Sequence, residues 1–368
     1  MSLAAVAFDT TSPLRVVEVH VPDVREHDVL VRFMASGLCH TDVSIANGSL
    51  PVPLPIIPGH EGAGIVEQVG SAVTSVRSGD HVALSGVISC GHCWACGRGV
   101  PNLCEWGLPT IMGARQPDGD LRSFDVDGHG LHQWACLGTL AERGVVPEKA
   151  VVPIARDVPF EVAAVIGCSV LTGVGAVFNR ASVRPGDSVV VIGCGGVGLN
   201  VVQAARLVGA STVIAVDPAP TKRELAAEFG ATDVVGGDGE DAVERVRALT
   251  GGRGADVAFE CVGSTALVRH GWDMLNAAGT LVTVGVPPAG AVAELPGDQL
   301  WSTEKTLKSS LFGSGDPRRD IALCIMLYRQ GRLKVTELIT RRYELPAVND
   351  AVADLLALRN AKGVIRFD

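Results

Sequence analysis

The run 189–192, Val-Val-Val-Ile, passes directly into Gly-Cys-Gly-Gly-Val-Gly, and this junction restricts the possible folds more than any other stretch of the chain. A short apolar run reads as a buried strand, and Gly193, Gly195 and Gly198 supply a GxGxxG turn at the mouth of a helix. Strand, tight turn and helix in that order open a βαβ unit. The glycines permit the turn, let the backbone approach a pyrophosphate and let helix and strand pack closely, while the helix N-terminus offers N–H donors and positive dipole. The helix predicted here sets Val197, Val201, Ala204 and Val208 on one face and stops at Gly209.

Further apolar runs at 212–216, 233–235, 256–261, 280–284 and 308–312 alternate with helical periodicities, one of them over 221–229 and ending at Gly230. This alternation predicts an α/β fold with a six-stranded, doubly wound parallel sheet of the Rossmann, dinucleotide-binding type. Asp217 closes the second run, nineteen positions beyond Gly198. Its carboxylate is placed to accept from both hydroxyls of an adenosine ribose. A 2′-phosphate would meet negative charge, and Pro218 and Ala219 bring no cation, so NAD is favoured over NADP although Arg223 stands nearby. Gly196, Val197 and Lys222 complete the expected coenzyme contacts of this region.

The first 150 or so residues differ. They are rich in Gly and Pro, with strand-like runs at 29–33 and 64–69, and read as a β-rich domain. After position 312 come a helix at about 318–330 and a tail too short to fold alone, which is expected to return to the first domain. The boundaries are set at 1–169, 170–312 and 313–368, and a chain of 368 residues is long enough for two cores.

A net charge of −9 without a Lys/Arg run argues against nucleic-acid or anionic-membrane partners. The N-terminus lacks a basic start with a long apolar stretch, and no window reaches about eighteen uninterrupted apolar residues, so a cytoplasmic protein is expected. Ten cysteines are too sparse for a disulfide scaffold and point to metal or catalysis.

Cys90, Cys93, Cys96 and Cys104 follow a Cys-x2-Cys-x2-Cys-x7-Cys spacing in a Gly-containing loop. Four thiolates so close along the chain can close a tetrahedron around Zn²⁺ with no open position, the mark of a structural site; an iron–sulfur centre is the chemical rival. Cys39, His60 with Glu61, and Cys168 lie in GLCHTD, PGHEGAG and IGCSVLTG, too far apart for spacing to join them. Cys136, Cys194, Cys261 and Cys324 read as packing residues, as do His20, His27, His81 and His270.

With GLCHTD, PGHEGAG, the four-cysteine loop, IGCSVLTG, the GCGGVG turn and a closing NAKGVIRF, the chain resembles the zinc-containing alcohol dehydrogenases of the medium-chain dehydrogenase/reductase superfamily. The likeness is to the long form with a second, structural zinc. It implies a Rossmann-type domain inserted into a GroES-like catalytic domain, two zinc ions per chain, NAD, and a homodimer, with a tetramer as the alternative. It makes Cys39, His60 and Cys168 ligands of a catalytic zinc with one open position, and puts Glu61 behind the metal. Asp42 would fix the tautomer of His60, Thr41 would bond the substrate oxygen, and His40 and Lys362 would contact the coenzyme pyrophosphate.

The implied reaction is reversible hydride transfer between an alcohol and NAD. Ser44 occupies a place where relatives often carry a proton-relaying histidine, and a serine cannot store a proton near neutral pH. Leu50 and Leu108 stand where a thiol-dependent formaldehyde dehydrogenase would anchor glutathionyl carboxylates. Gly86 replaces a bulky aromatic of the alcohol pocket. Together these predict a roomy, apolar pocket for primary alcohols larger than ethanol, aromatic or long-chain. The alternatives are the thiol-dependent formaldehyde enzyme, a polyol or amino-alcohol dehydrogenase, and a zinc-stabilised NAD-binding protein without turnover. The segment 113–138 resembles the extra loop of the long form.

Overall fold

The computed structural model describes residues 2–237 and 240–367. The chain divides into two units: one holds the residues through Ser169, Gly315–Arg329 and those from Val335 onward, the other Val170–Ser314 and Gln330–Lys334.

In the second unit six strands lie side by side in the order Asp233–Val235, Thr212–Val216, Ser188–Ile192, Ala255–Glu260, Leu275–Thr283 and Thr306–Ser309, all parallel. This is the doubly wound sheet that the apolar runs predict. The run at 189–192 misses its strand's entrance, because a polar pair builds it: the Ser188 N–H and hydroxyl both donate to Asp256 Oδ2, at 2.8 and 2.7 Å. The last strand ends at Ser309 and not at Phe312, whose φ of 46° lies in the left-handed region and cannot continue a strand. Val190, Ile192, Ile214, Val216, Trp272 and Leu281 fill the core on one side of this sheet.

Helix Gly196–Leu207 begins at the glycine turn and stops before Gly209, whose φ is +93°. Its buried surface is broader than one face: Val201 and Ala204 are buried with Leu199, Val202 and Ala205, whereas Val197 and Val208 are half-buried. Helix Leu171–Gly175 covers the additional side, so close that a Cβ on Gly173 would stand 2.5 Å from the Val197 carbonyl oxygen.

In the first unit a mixed sheet runs Val151–Pro153, His81–Leu84, Glu61–Val69, Asp28–Leu38, Lys362–Arg366 and Ile339–Glu344, with Arg143–Pro147 also paired to Asp28–Leu38. The chain end therefore lies in the middle of the N-terminal sheet: Gly363 pairs with Leu38 and Val364 with Gly37. His20 and His27, read above as packing residues, are exposed; strand Arg15–His20 turns a polar face to solvent. One helix, Phe160–Ala181, is long and apolar enough to cross a membrane, but 89% of its apolar window is buried inside the protein, as befits a core helix.

Candidate active site

Cys39, His60, Glu61 and Cys168 each present a ligand atom, and these atoms lie within 4.8 Å of one another. Strand register explains the first three. Gly37 pairs with Glu61, so the exit of strand Asp28–Leu38 and the entrance of strand Glu61–Val69 coincide. Cys39 then caps helix His40–Ala46. Cys168 arrives from the π-helical turn Ile166–Val170, a local widening of a helix that often accompanies functional sites. Next to it, Gly167 sits so close to strand His81–Leu84 that a Cβ would lie 2.3 Å from the Leu84 carbonyl oxygen.

Asp42 organises this corner. Its Oδ1 accepts from His60 Nδ1 at 3.1 Å and from the Gly59 N–H at 2.9 Å, and its Oδ2 accepts from the Cys39 N–H at 2.9 Å. The imidazole is thereby held by its Nδ1, which fixes the tautomer that a metal ligand requires. Thr41 is half-buried, its hydroxyl 3.7 Å from Cys39 Sγ. The Ser44 hydroxyl donates to the His40 carbonyl at 3.1 Å, so its proton is engaged within the helix, while His40 itself is exposed.

Lys362, expected to contact the coenzyme pyrophosphate, takes a buried place in this corner. Its ammonium is buried and donates to Glu61 Oε1 at 2.5 Å; the same oxygen accepts from the Ser169 hydroxyl at 2.7 Å. Strand Lys362–Arg366 runs inside the first unit's sheet and buries this side chain. Glu61, expected behind the metal, stands within the ligand group itself, and its Oε2 has no partner among the described residues. That oxygen would lie 2.2 Å from a Cβ on Gly37, so a side chain there would displace the carboxylate.

Burial raises the Glu61 carboxyl against the pull of Lys362. For Lys362 burial favours the neutral amine, but Glu61 and the two thiols outweigh it and the ammonium is held above its usual range. The hydrogen bond from Cys168 pushes the Cys39 thiol well below its usual value. Burial works against charge on His60, yet Asp42 and Cys39 hold it well above the ordinary histidine range. An acidified thiol, a second thiol, an oriented imidazole and an unsatisfied carboxylate oxygen form a donor set that fits a borderline-soft cation such as zinc.

Cys90, Cys93, Cys96 and Cys104 likewise lie within 4.8 Å of one another. Backbone N–H groups of His92 and Cys93 point at Cys90 Sγ at 3.5 and 3.3 Å, and that of Cys90 at Cys104 Sγ at 3.3 Å. Backbone donors on Cys96 and Glu105 hold Cys93 down at about 6, whereas burial pushes Cys96 up to about 12. Four crowded thiols cannot all ionise unless a cation compensates them, so this set too fits zinc.

In the second unit Gly193 takes φ +91°, and a Cβ on Gly198 would lie 1.8 Å from the Gly193 carbonyl oxygen, so neither position admits a side chain. Around Gly195 a Cβ would meet nothing within 4 Å, which leaves a cradle over the N-terminus of helix Gly196–Leu207. Asp217 is buried, and its oxygens accept from the N–H groups of Cys194 at 2.8 Å and Ala219 at 2.9 Å. Lys222 and Arg223 stand in the first turn of helix Pro220–Glu228, where Arg223 Nη1 donates to the carbonyls of Asp217 and Pro218 at 2.7 and 2.8 Å.

Residues 25–156 match the family described as alcohol dehydrogenase GroES-like domain, and residues 196–326 match the family described as zinc-binding dehydrogenase. The NDMA-dependent alcohol dehydrogenase of Amycolatopsis methanolica is 40% identical over 98% of both chains. The S-(hydroxymethyl)glutathione dehydrogenase of Saccharomyces cerevisiae is 38% identical over 96% of this chain and 93% of its own. The crystal structure of benzyl alcohol dehydrogenase from Acinetobacter calcoaceticus superposes with a TM-score of 0.94 at 32% identity, covering 100% of this chain and 99% of that one.

The chain belongs to the zinc-dependent medium-chain alcohol dehydrogenases. It is an oxidoreductase acting on alcohols, with a GroES-like domain and a Rossmann-type sheet.

One feature of the dehydrogenase corrects the sequence reading. The room that Gly86 was expected to leave is taken by Ala135, whose Cβ would lie 2.8 Å from a Cβ on Gly86. Ala135 reaches that place because its backbone adopts a left-handed conformation, φ 52°, which nothing in the sequence signals. Leu50 closes the turn after helix His40–Ala46 through its N–H to the Ser44 carbonyl at 2.9 Å, and Leu108 opens helix Leu108–Gly113. Sequence reasoning also missed Ser169 on Glu61 and Trp134 against His60; only the adjacency of Ser169 to Cys168 offered a hint.

Proposed function

We propose that this dehydrogenase oxidises bulky, apolar primary alcohols, aromatic ones foremost, with NAD as hydride acceptor, at a zinc ion held by Cys39, His60 and Cys168. The convergence of those three donors, with Asp42 fixing the imidazole, is the observation that carries the proposal. When bound, zinc supplies the Lewis acidity that acidifies an alcohol, and NAD supplies the acceptor. Thr41 orients the alcohol oxygen and relays its proton, its hydroxyl accepting that proton as it passes its own onward. His40, which is exposed, leads the proton released by Thr41 to solvent, because the Ser44 hydroxyl is engaged with a backbone carbonyl. A second zinc in the four-thiolate loop holds the fold and takes no part in chemistry.

NAD is supported by Asp217, whose buried carboxylate retains lone pairs for ribose hydroxyls after its two backbone bonds. The cradle at Gly193, Gly195, Gly196, Val197 and Gly198 suits its pyrophosphate, and Lys222 adds a cation on the adjoining helix. The apolar Leu50 and Leu108, and the likeness to a benzyl alcohol dehydrogenase, support a bulky apolar substrate; Gly86 lends nothing. The likeness to an S-(hydroxymethyl)glutathione dehydrogenase keeps the thiol-bound formaldehyde reading as the rival.

Steady-state rates with benzyl alcohol, ethanol and S-hydroxymethylglutathione, each with NAD, NADP or NDMA as acceptor, test this. The highest kcat/KM is expected for benzyl alcohol with NAD. Preference for the glutathione adduct overturns the substrate, and turnover with NDMA alone overturns NAD as the exchanging acceptor. We further propose a cytoplasmic homodimer: reduced thiols suit that compartment. Strand Thr306–Ser309 ends its sheet with Thr306, Leu307 and Ser309 exposed, an unpaired edge that a second copy can cover. Light scattering in solution reads the mass.

A further inference from the structure

Trp134 is 2% exposed, and its ring stands edge-on to His60 with centroids 6.3 Å apart at an interplanar angle of 86°. Its Nε1–H has no acceptor among the described residues, so packing and backbone alone hold the ring there. The backbone is held hard. The two residues after it, Ala135 and Cys136, are both left-handed, with φ of 52° and 55°, a conformation that costs non-glycine residues and persists only when the surroundings impose it.

Those surroundings are identifiable. Gln116 Nε2 donates to the Cys136 carbonyl at 3.1 Å, Gln133 Nε2 to the Leu137 carbonyl at 3.0 Å, and the Leu137 N–H to the Trp134 carbonyl at 2.9 Å. Ala135 fits against residue 86 only because that residue is glycine. Strained backbone, two buried amides and a side-chain-free neighbour all serve to set one indole beside one imidazole. An edge-to-face aromatic contact fixes ring orientation in a way that an aliphatic contact does not.

We propose that Trp134 is a positioning residue of the catalytic metal site, fixing the plane in which His60 presents its ring to the metal. Asp42 fixes the tautomer of His60 by engaging its Nδ1, and Trp134 fixes the plane in which the ring lies. The inference rests on the reading of Cys39, His60 and Cys168 as the catalytic metal ligands.

The test uses the full-length enzyme with cobalt in place of zinc, whose visible bands report coordination geometry, together with the rate of metal loss to a chelator and steady-state kinetics. W134L is expected to shift the cobalt bands of this site, release its metal about tenfold faster and lower kcat about tenfold with KM nearly unchanged, a size usual for groups that orient a metal ligand. W134F, which keeps an aromatic ring, is expected to retain the bands and stay within about threefold in kcat. G86A presses on Ala135 with Trp134 intact and is expected to shift the same bands. Wild-type bands and metal release in W134L, or in G86A should W134L not fold, overturn the proposal. A defect in W134F equal to that of W134L overturns it as well, by assigning the effect to the N–H. Cobalt bands from the four-thiolate site alone in the wild type instead overturn the underlying reading, an outcome distinct from bands that are present but unchanged.

Discussion

The two ligand groups of this dehydrogenase are built in opposite ways. Cys90, Cys93, Cys96 and Cys104 belong to one loop, and its own backbone N–H groups point at the sulfurs. Cys39, His60 and Cys168 come from a strand exit, a strand entrance and a π-helical turn; a carboxylate from the helix that Cys39 caps, and an ammonium and an indole from other segments, surround them. A local group can organise itself around an ion and stabilise the fold in doing so. A dispersed group needs the fold first, and in return its coordination can be left incomplete and therefore reactive.

The largest effects should separate these roles. C168S is expected to lower kcat at least about a thousandfold while Tm moves by only a few degrees, because a catalytic ligand is lost from a scaffold that stands without it. C104S should do the reverse: a Tm loss of about 10 °C or more, with the surviving folded fraction still active. Metal analysis should find one ion fewer per chain in each. Equal thermal losses in the two variants would erase the distinction.

Next in size is the buried pair beside the dispersed group. Lys362 is 4% exposed and Glu61 fully buried. K362M leaves a carboxylate uncompensated and should cost about 3–5 kcal/mol in denaturant unfolding, whereas the double variant E61Q/K362M should recover most of it. A double variant no better than the single would show that the charge pair is not what this corner depends on.

These contrasts follow what the sequence made legible. The four-cysteine spacing and the glycine turn announce themselves because neighbours in the chain make them. The six parallel strands could be placed to within a few residues because buried strands are continuous apolar runs. Cys39, His60 and Cys168 could be joined only through resemblance to a family, since register and a helix irregularity bring them together. The Lys362–Glu61 pair spans 301 positions and leaves no periodic trace. Gly86 misled because a missing side chain shows where space begins and not what fills it, and the left-handed turn at Ala135 and Cys136 has no glycine to mark it.

A smaller effect is expected at Asp42, which tunes a ligand without being one. D42N keeps the shape but loses the charge that balances His60, and kcat/KM should fall about 10–100-fold with the fold intact. A fall as large as that of C168S would make Asp42 indispensable to metal retention, which the metal content of the variant reads directly.

The smallest effect sharpens the local group from within. In metal-stripped protein, backbone donors hold the Cys93 thiol at about 6 and burial pushes Cys96 to about 12, so at neutral pH Cys93 should be the first of the two to react with iodoacetamide. The reactive species is the thiolate, so the sign is fixed: the Cys93 rate should be flat above about 7 and fall about tenfold per pH unit below its pKa. Peptide mapping after brief alkylation across this range measures it. Modification of Cys96 ahead of Cys93 would mean that the loop does not hold its donors on the sulfurs without a metal, and the four-thiolate group would then be as dependent on outside help as the dispersed one.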